Sequence, residues 1–161
     1  SPFPDYQFGI TNDIEYGPFR ISTLISSKQG MYMYNRSERY SHRASFRTHV
    51  NSADKTNEQL DSYENAENLW IQDASFIKLK SLTIEYKIPF KFTMLDVSAP
   101  IISLSGSNLY TITDYSGFDP EVSMNGEDFA FAPGSNNWTR NVDFTTHPLP
   151  RKWTLTLKFN L

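Results

Sequence analysis

The chain has 161 residues, of which 39% are apolar, 20% charged and 15% aromatic, and its formal net charge is −3. This apolar and aromatic share excludes a low-hydrophobicity disordered chain, and no basic stripe suggests a nucleic-acid partner. The lack of cysteine excludes thiol nucleophiles, disulfides and Cys-based zinc sites. Mean hydropathy is −0.50, and no apolar run approaches the ~18 residues of a membrane-spanning helix. A β-barrel stays open, because its apolar residues alternate with polar ones. Ser1-Pro2-Phe3-Pro4 does not read as a signal peptide, so the expectation is a piece of a longer chain or one whose start has been removed.

The first pattern runs from Tyr6 to Tyr16. Tyr6, Phe8, Ile10, Asn12, Ile14 and Tyr16 share one face, and Gln7, Gly9, Thr11, Asp13 and Glu15 share the other. This is the alternation of a β-strand. Ordinary strands average about 5–6 residues, whereas a strand that crosses a bilayer needs ~9–11 and carries aromatic girdles at both ends. Length and aromatic ends both favour a membrane strand. Gly17-Pro18 predicts a tight turn. A second strand starts at Phe19, with Ile21, Thr23 and Ile25 on its apolar face, and is expected to reach about Tyr32 or Tyr34.

Residues 35–72 are polar and show no strand alternation, which predicts a long loop with its own local structure and room for a short helix around 38–50. The third strand is expected from Ser75 to Ile88. Leu82, Ile84, Tyr86 and Ile88 share a face, while Ile77 and Leu79 are out of phase with them, so a bulge or a change of environment is expected near Lys80. Pro89 stops this strand. The fourth is expected over about Ala99–Tyr110, and residues 111–150 form a second long loop rich in glycine and proline. The last strand sets Trp153, Leu155, Leu157, Phe159 and Leu161 against Thr154, Thr156, Lys158 and Asn160.

The fold class read from this pattern is all-β, with five long antiparallel transmembrane strands and two long extracellular loops. Short turns on one side and long loops on the other are the pattern of an outer-membrane barrel. Five strands cannot close one, since the smallest have eight. In lipid both edges would stay unpaired at several kcal/mol per group. The chain is therefore expected to be the C-terminal portion of a larger barrel.

Four segments resemble the C-terminal end of the SusC/RagA-type TonB-dependent outer-membrane transporters. They are Pro4-Asp5-Tyr6 with Gly9-Ile10-Thr11-Asn12; Ala74 to Tyr86; Ser105-Gly106-Ser107-Asn108-Leu109 with Tyr115-Ser116-Gly117-Phe118-Asp119-Pro120-Glu121-Val122; and Pro148 to Thr154. Their order and spacing fit along nearly the whole chain, with Ala74 where the family has a glycine. The resemblance implies a barrel of about 22 strands with an N-terminal plug domain that is absent from this chain. It also implies the outer membrane of a Gram-negative bacterium, and import of oligosaccharides or peptides beneath a SusD-like surface lipoprotein. The implied partners are the rest of the barrel, that lipoprotein, the TonB complex through the absent N-terminal parts, and outer-membrane lipid.

No catalytic, metal or cofactor site is expected. His42, His49 and His147 read as solvated loop residues, and His42 and His49 lie too far apart in sequence for one metal. Asp114, Asp119, Glu121, Glu127 and Asp128 lack the spacing of a calcium loop. Asp119-Pro120 reads as a turn capped by the aspartate, and Tyr115-Ser116-Gly117 as the fixture of the loop's exit from the strand. Nothing singles out a carboxylate pair for glycoside hydrolysis. Tyr115, Phe129, Phe131 and Trp138 are the candidates for facing a ligand or a lid protein, against a reading in which they pack on one another. Trp70 is expected as an interfacial anchor. Trp153, Leu155, Leu157, Phe159 and Leu161 are expected to face lipid, with Trp153 at the outer interface. The competing reading is a soluble β-sandwich carbohydrate-binding module, also rich in strands and aromatics.

Overall fold

The computed structural model describes residues 1–42, 56–89, 91–92, 97–122 and 141–160. In chain order the elements are β1 (Tyr6–Tyr16), β2 (Phe19–Gln29), β3 (Tyr32–Asn35), α1 (Arg36–Ser41), α2 (Asn57–Asn65), α3 (Glu67–Trp70), β4 (Ile71–Asp73), β5 (Phe76–Lys87), β6 (Lys91–Phe92), β7 (Val97–Thr113), β8 (Val142–Asp143) and β9 (Lys152–Asn160). They form two compact units. One comprises Gln7–Ser27, Ile77–Ile112 and Leu149–Leu161, the other Ser1–Tyr6, Lys28–Phe76 and Thr113–Pro148. Among the described residues no helix is long and apolar enough to cross a membrane.

The first unit is built on one sheet of order β1-β2-β5-β7, with β6 and β9 both paired to β7. β1 has the bounds expected from its alternation, and Gly17 turns the chain into β2 with φ of 59°. The N–H of Ile88 donates to the carbonyl of Pro100, and the Lys91–Ser98 pair follows on the same strand. β6 therefore resumes the side of β7 that β5 occupies, after the interruption at Pro89. β9 takes the opposite side, because Ser98 pairs with Asn160 as well.

The register of β7 on β9 sorts the side chains. Ile102 pairs with Leu157, Leu104 with Leu155 and Gly106 with Trp153; Ser103 pairs with Thr156, Ser105 with Thr154 and Ile101 with Lys158. Apolar thus faces apolar across one row and polar faces mostly polar across the next. The polar row continues onto β5, where Thr83 Oγ1 donates to Ser105 Oγ at 3.1 Å and Glu85 meets Lys158 at 3.4 Å. Apolar residues of this strand pair stand open, and Ser103 of the polar row is buried. Ser103 is 4% exposed, whereas Leu155 is 66% and Leu157 56% exposed. A sandwich would bury the Trp153–Leu155–Leu157–Phe159 row between two sheets. That row is open here, so the sandwich reading does not describe this fold.

The alternation of β5 changes phase where the sequence anticipates it. Ile77 is exposed between the buried Phe76 and Lys78, yet the next exposed residue is Ile84, on the opposite parity of the strand.

Gly106 explains the Ser-Gly-x-Asn-Leu segment. A Cβ there would stand 2.7 Å from Leu109 Cδ2 and 2.8 Å from Trp153 Cζ3, so only glycine lets the indole lie across the strand. Asn108 adopts φ of 53°, which asparagine tolerates better than most residues. Its Nδ2 donates to the carbonyl of Pro150 at 3.3 Å.

The second unit corrects two expectations. β2 does not continue to Tyr32 or Tyr34. Gly30 takes φ of 77°, and Tyr32–Asn35 instead become β3 in a separate three-stranded sheet of order β4-β3-β8. β3 pairs antiparallel with β4 and parallel with β8, so the stretches on either side of the polar residues and in the second loop contribute strands of their own. The helix expected around 38–50 is α1, which starts earlier at Arg36 and ends at Ser41; residues 43–55 lie outside the described residues. The core of this unit is Met31, Met33, Ala74, Phe76 and Tyr115, with Val122 against it.

Candidate functional site

The segment Tyr115–Val122 lies in the second unit and organises it. Tyr115 leaves β7 through a short polar hinge: its N–H donates to Thr113 Oγ1 at 3.2 Å, and Thr113 Oγ1 donates to the carbonyl of Ser75 at 2.8 Å. The tyrosine ring folds over Gly117, where a Cβ would collide with it. The ring is buried in the core, and its hydroxyl donates to Asp143 Oδ2 at 2.9 Å. Tyr115 therefore has no open face for a ligand. It serves as the strut that fixes the loop's exit.

Asp143, on β8, is 2% exposed. Its second oxygen accepts from Thr146 Oγ1 at 2.6 Å, and its backbone carbonyl accepts from Ser37 Oγ at 3.3 Å. Burial first, then the hydrogen bond to Asp143 and the charges of Asp143 and Glu38, push the Tyr115 phenol well above the ordinary tyrosine range.

Ser116 joins this strut to the first long loop. Its Oγ lies 2.6 Å from Glu38 Oε2 and 2.7 Å from Gln72 Oε1, and its single proton serves one of them at a time. Asn35 caps α1 by accepting from the Glu38 N–H at 3.0 Å, while its Nδ2 donates to Glu38 Oε2 at 2.8 Å. The pair resembles a capping box, with the Asn35 side-chain amide taking the place of the N-cap backbone N–H. Gln72 Nε2 reaches the same oxygen at 3.3 Å. Glu38 is thus a hub joining β3, α1, β4 and the segment after β7. Asp119 closes the turn as expected, its Oδ1 accepting from the Glu121 N–H at 2.9 Å.

These segments enclose a cleft of about 280 Å³, bordered by Ser37, Glu38, Ser41, Ser116, Phe118 and Asp143 among others. Phe118 is 84% exposed.

Other sequence candidates fall elsewhere. His42 is buried rather than solvated. Its Nδ1 lies 2.9 Å from the carbonyl of Glu38, and its ring packs on Trp70 with centroids 5.0 Å apart. Trp70 is itself buried, so it is a core residue of the second unit and not an interfacial anchor. His147 and Asp114 are exposed. His49, Glu127, Asp128, Phe129, Phe131, Trp138 and Leu161 lie outside the described residues. Among the described residues no group of three histidine or carboxylate side chains converges as a metal site. Trp153, Leu155, Leu157 and Phe159 are exposed along β9.

The Glu38 hub escaped the sequence reading. The signal that could have found it is Asn35-x-x-Glu38, a cap residue followed three positions later by an acid. Thr56-x-x-Gln59 is a second such signal, and the backbone N–H of each donates to the side chain of the other at the start of α2.

No protein-family model matches the chain. Along 97% of its length it is 28% identical to TonB-dependent receptor P3 of Formosa agariphila, and along its full length 28% identical to TonB-dependent receptor P26 of the same organism. The chain spans 16% and 17% of those proteins. Its fold is similar to that of the RagAB peptide transporter, with a TM-score of 0.68 over 99% of this chain, 17% of that chain and 17% identity. The RagAB peptide importer in its closed-closed state gives a TM-score of 0.69 at 18% identity, again over 99% of this chain and 17% of that one. The motif segments in order, the receptors matched along the whole chain and the shared fold agree: the chain is similar along its length to TonB-dependent receptors and has the fold of the corresponding part of the RagAB transporter.

Proposed function

We propose that this chain is the C-terminal portion of the barrel wall of an outer-membrane transporter that imports oligosaccharides or peptides beneath a SusD-like surface lipoprotein. One observation carries the membrane reading: along β9 the apolar residues Trp153, Leu155, Leu157 and Phe159 stand open, while Ser103 of the adjoining polar row is buried. Water penalises that arrangement, since each fully exposed Leu or Phe forgoes about 1.5–3 kcal/mol of burial. Lipid outside and a polar lumen inside favour it.

In this reading β1, β2, β5 with β6, β7 and β9 are the transmembrane strands, and the loop unit is extracellular. Trp153 stands at the outer interface, and Leu155, Leu157, Phe159 and Leu161 meet lipid. The remaining barrel strands cover the open edges of β1 and β9, and the TonB complex acts through parts of the protein outside this chain. Phe129, Phe131 and Trp138 remain the aromatic candidates for facing the ligand or the lid. The order of the four motif segments supports the C-terminal position. The names of the relatives, receptors and a transporter, support gated passage without covalent chemistry.

The test is the electrophoretic behaviour of the full polypeptide from source outer membranes, detected with an antibody to the Asp114–Glu127 segment. A large band whose mobility changes on heating is expected, as for a closed barrel. A soluble band of about the mass of this chain alone would refute the reading.

A further inference from the structure

The cleft of the loop unit has an electrostatic feature that its architecture does not require. Glu38 and Asp143 both line it. Glu38 accepts side-chain hydrogen bonds from Ser116, Asn35 and Gln72, and Asp143 from Tyr115 and Thr146, all of them neutral donors. Among the described residues no lysine, arginine or histidine side chain reaches either carboxylate within ion-pair distance. The two arginines of α1 are directed elsewhere. Arg36 lies over the rings of Phe144 and Tyr40, and Arg39 donates to Tyr34 Oη. At the rim Phe118 holds its ring in the open at 84% exposure. The adjacent Tyr115 and Asp119 are instead buried and bonded.

A cavity with two carboxylates, no base among the described residues and an aromatic face at its mouth is complementary to an organic cation. A bare metal ion fits poorly, because calcium demands six to eight converging oxygens and no three acidic or histidine side chains converge here among the described residues. A neutral sugar ring could stack on Phe118, but it would leave both charges uncompensated. The volume of about 280 Å³ lies just below the ~300–1,000 Å³ of ordinary small-molecule sites, so it suits one side chain rather than a whole oligomer. Guanidinium is the best match: it is planar, weakly hydrated, stacks on aromatic faces and donates to carboxylates. We propose that this cleft receives the arginine side chain of a peptide or protein segment, with Phe118 under the guanidinium and Glu38 as its charge partner.

The site is formed by the loop unit alone and does not depend on the membrane reading, which heat-modifiability tests separately. The experiment is equilibrium binding of Nα-acetylarginine amide to the full-length protein in detergent, measured by titration calorimetry. The uncharged isostere Nα-acetylcitrulline amide is the control. Saturable binding of the arginine probe is expected, with the citrulline probe at least roughly tenfold weaker and binding that declines with added salt. Phe118→Ala should weaken the arginine probe by roughly tenfold, and Phe118→Tyr should retain it. Phe118 is 84% exposed, so both variants report on the site itself. Glu38→Gln should abolish the preference for arginine over citrulline. Absence of saturable binding, equal affinity for the two probes, or arginine affinity unchanged in Phe118→Ala would each overturn the proposal.

Discussion

The hydroxyl of Tyr115 donates to Oδ2 of Asp143 at 2.9 Å, and both side chains are buried although 28 positions separate them in sequence. This bond closes the second long loop on itself, so that Ser116 and Phe118 are presented from a fixed base. Tyr115→Phe removes the donor and leaves a buried carboxylate with one partner fewer. A loss of about 1–3 kcal/mol is expected, read as faster amide hydrogen exchange in the segments around Tyr115 and Asp143 and little change in β7 and β9.

The same bond gives a pH dependence. The folded-state pKa of Tyr115 lies above its value in the unfolded chain, so the neutral phenol is the form the fold favours. Its contribution is complete below the ordinary tyrosine pKa of about 10 and is lost as pH rises through the raised value. The readout is an alkaline ultraviolet titration. Tyr115 should ionise only with opening of the loop unit, and that late step should vanish in Tyr115→Phe.

Glu38 bonds Ser116, Asn35 and Gln72 through one oxygen. Glu38→Ala should therefore loosen segments distant in sequence together, at about 1.5–3 kcal/mol, the magnitude of a hydrogen bond to a charged group. Limited proteolysis is expected to show new cuts both near Gln72 and near Ser116. Cleavage confined to α1 would mean that the hub does not couple the two loops.

Gly30 separates β2 from β3. Its φ is 77°, and a Cβ there would collide with the Asp5 side chain. Gly30→Ala should cost at least the ~1–2 kcal/mol of a non-glycine residue in the left-handed region. Asp5→Ala should recover the steric part of that loss and not the conformational part. Thermal melting of the single and double variants separates the two.

On β9, Leu157 pairs with Ile102 in the open apolar row, while Thr156 pairs with the buried Ser103. If the apolar row meets the bilayer midplane, Leu157→Arg should destabilise the barrel in lipid vesicles by ~2–4 kcal/mol, and Thr156→Arg by much less. Denaturant unfolding in vesicles measures both. Equal effects would remove the assignment of faces.

Much of the sheet was legible because a strand's alternation is local. Tyr6–Tyr16 and the Lys152–Asn160 strand emerge with nearly the expected limits, and the change of phase between Ile77 and Ile84 falls around Lys80. The loop unit was not legible to the same depth. His42 has polar neighbours in sequence and read as solvated, and Trp70 read as an interfacial anchor, yet the two rings pack on each other and both are buried. Tyr115 read as a candidate ligand contact because its partner Asp143 arrives from a distant segment. The capping signals at Asn35 and Thr56 were present in the sequence, but only the folded chain shows that Glu38 also binds Ser116 and Gln72.

The sequence by itself determined which residues of each long strand share a face, where glycine and proline turn the chain, and the family that its motif segments resemble. These depend on backbone geometry and side-chain period within a few residues. Tertiary structure decided which apolar row stays open, which loop aromatics are core, and that two carboxylates and a phenyl ring meet at one cleft. Those outcomes depend on contacts between segments far apart in the chain, where partner and register are fixed by packing rather than by neighbours in sequence.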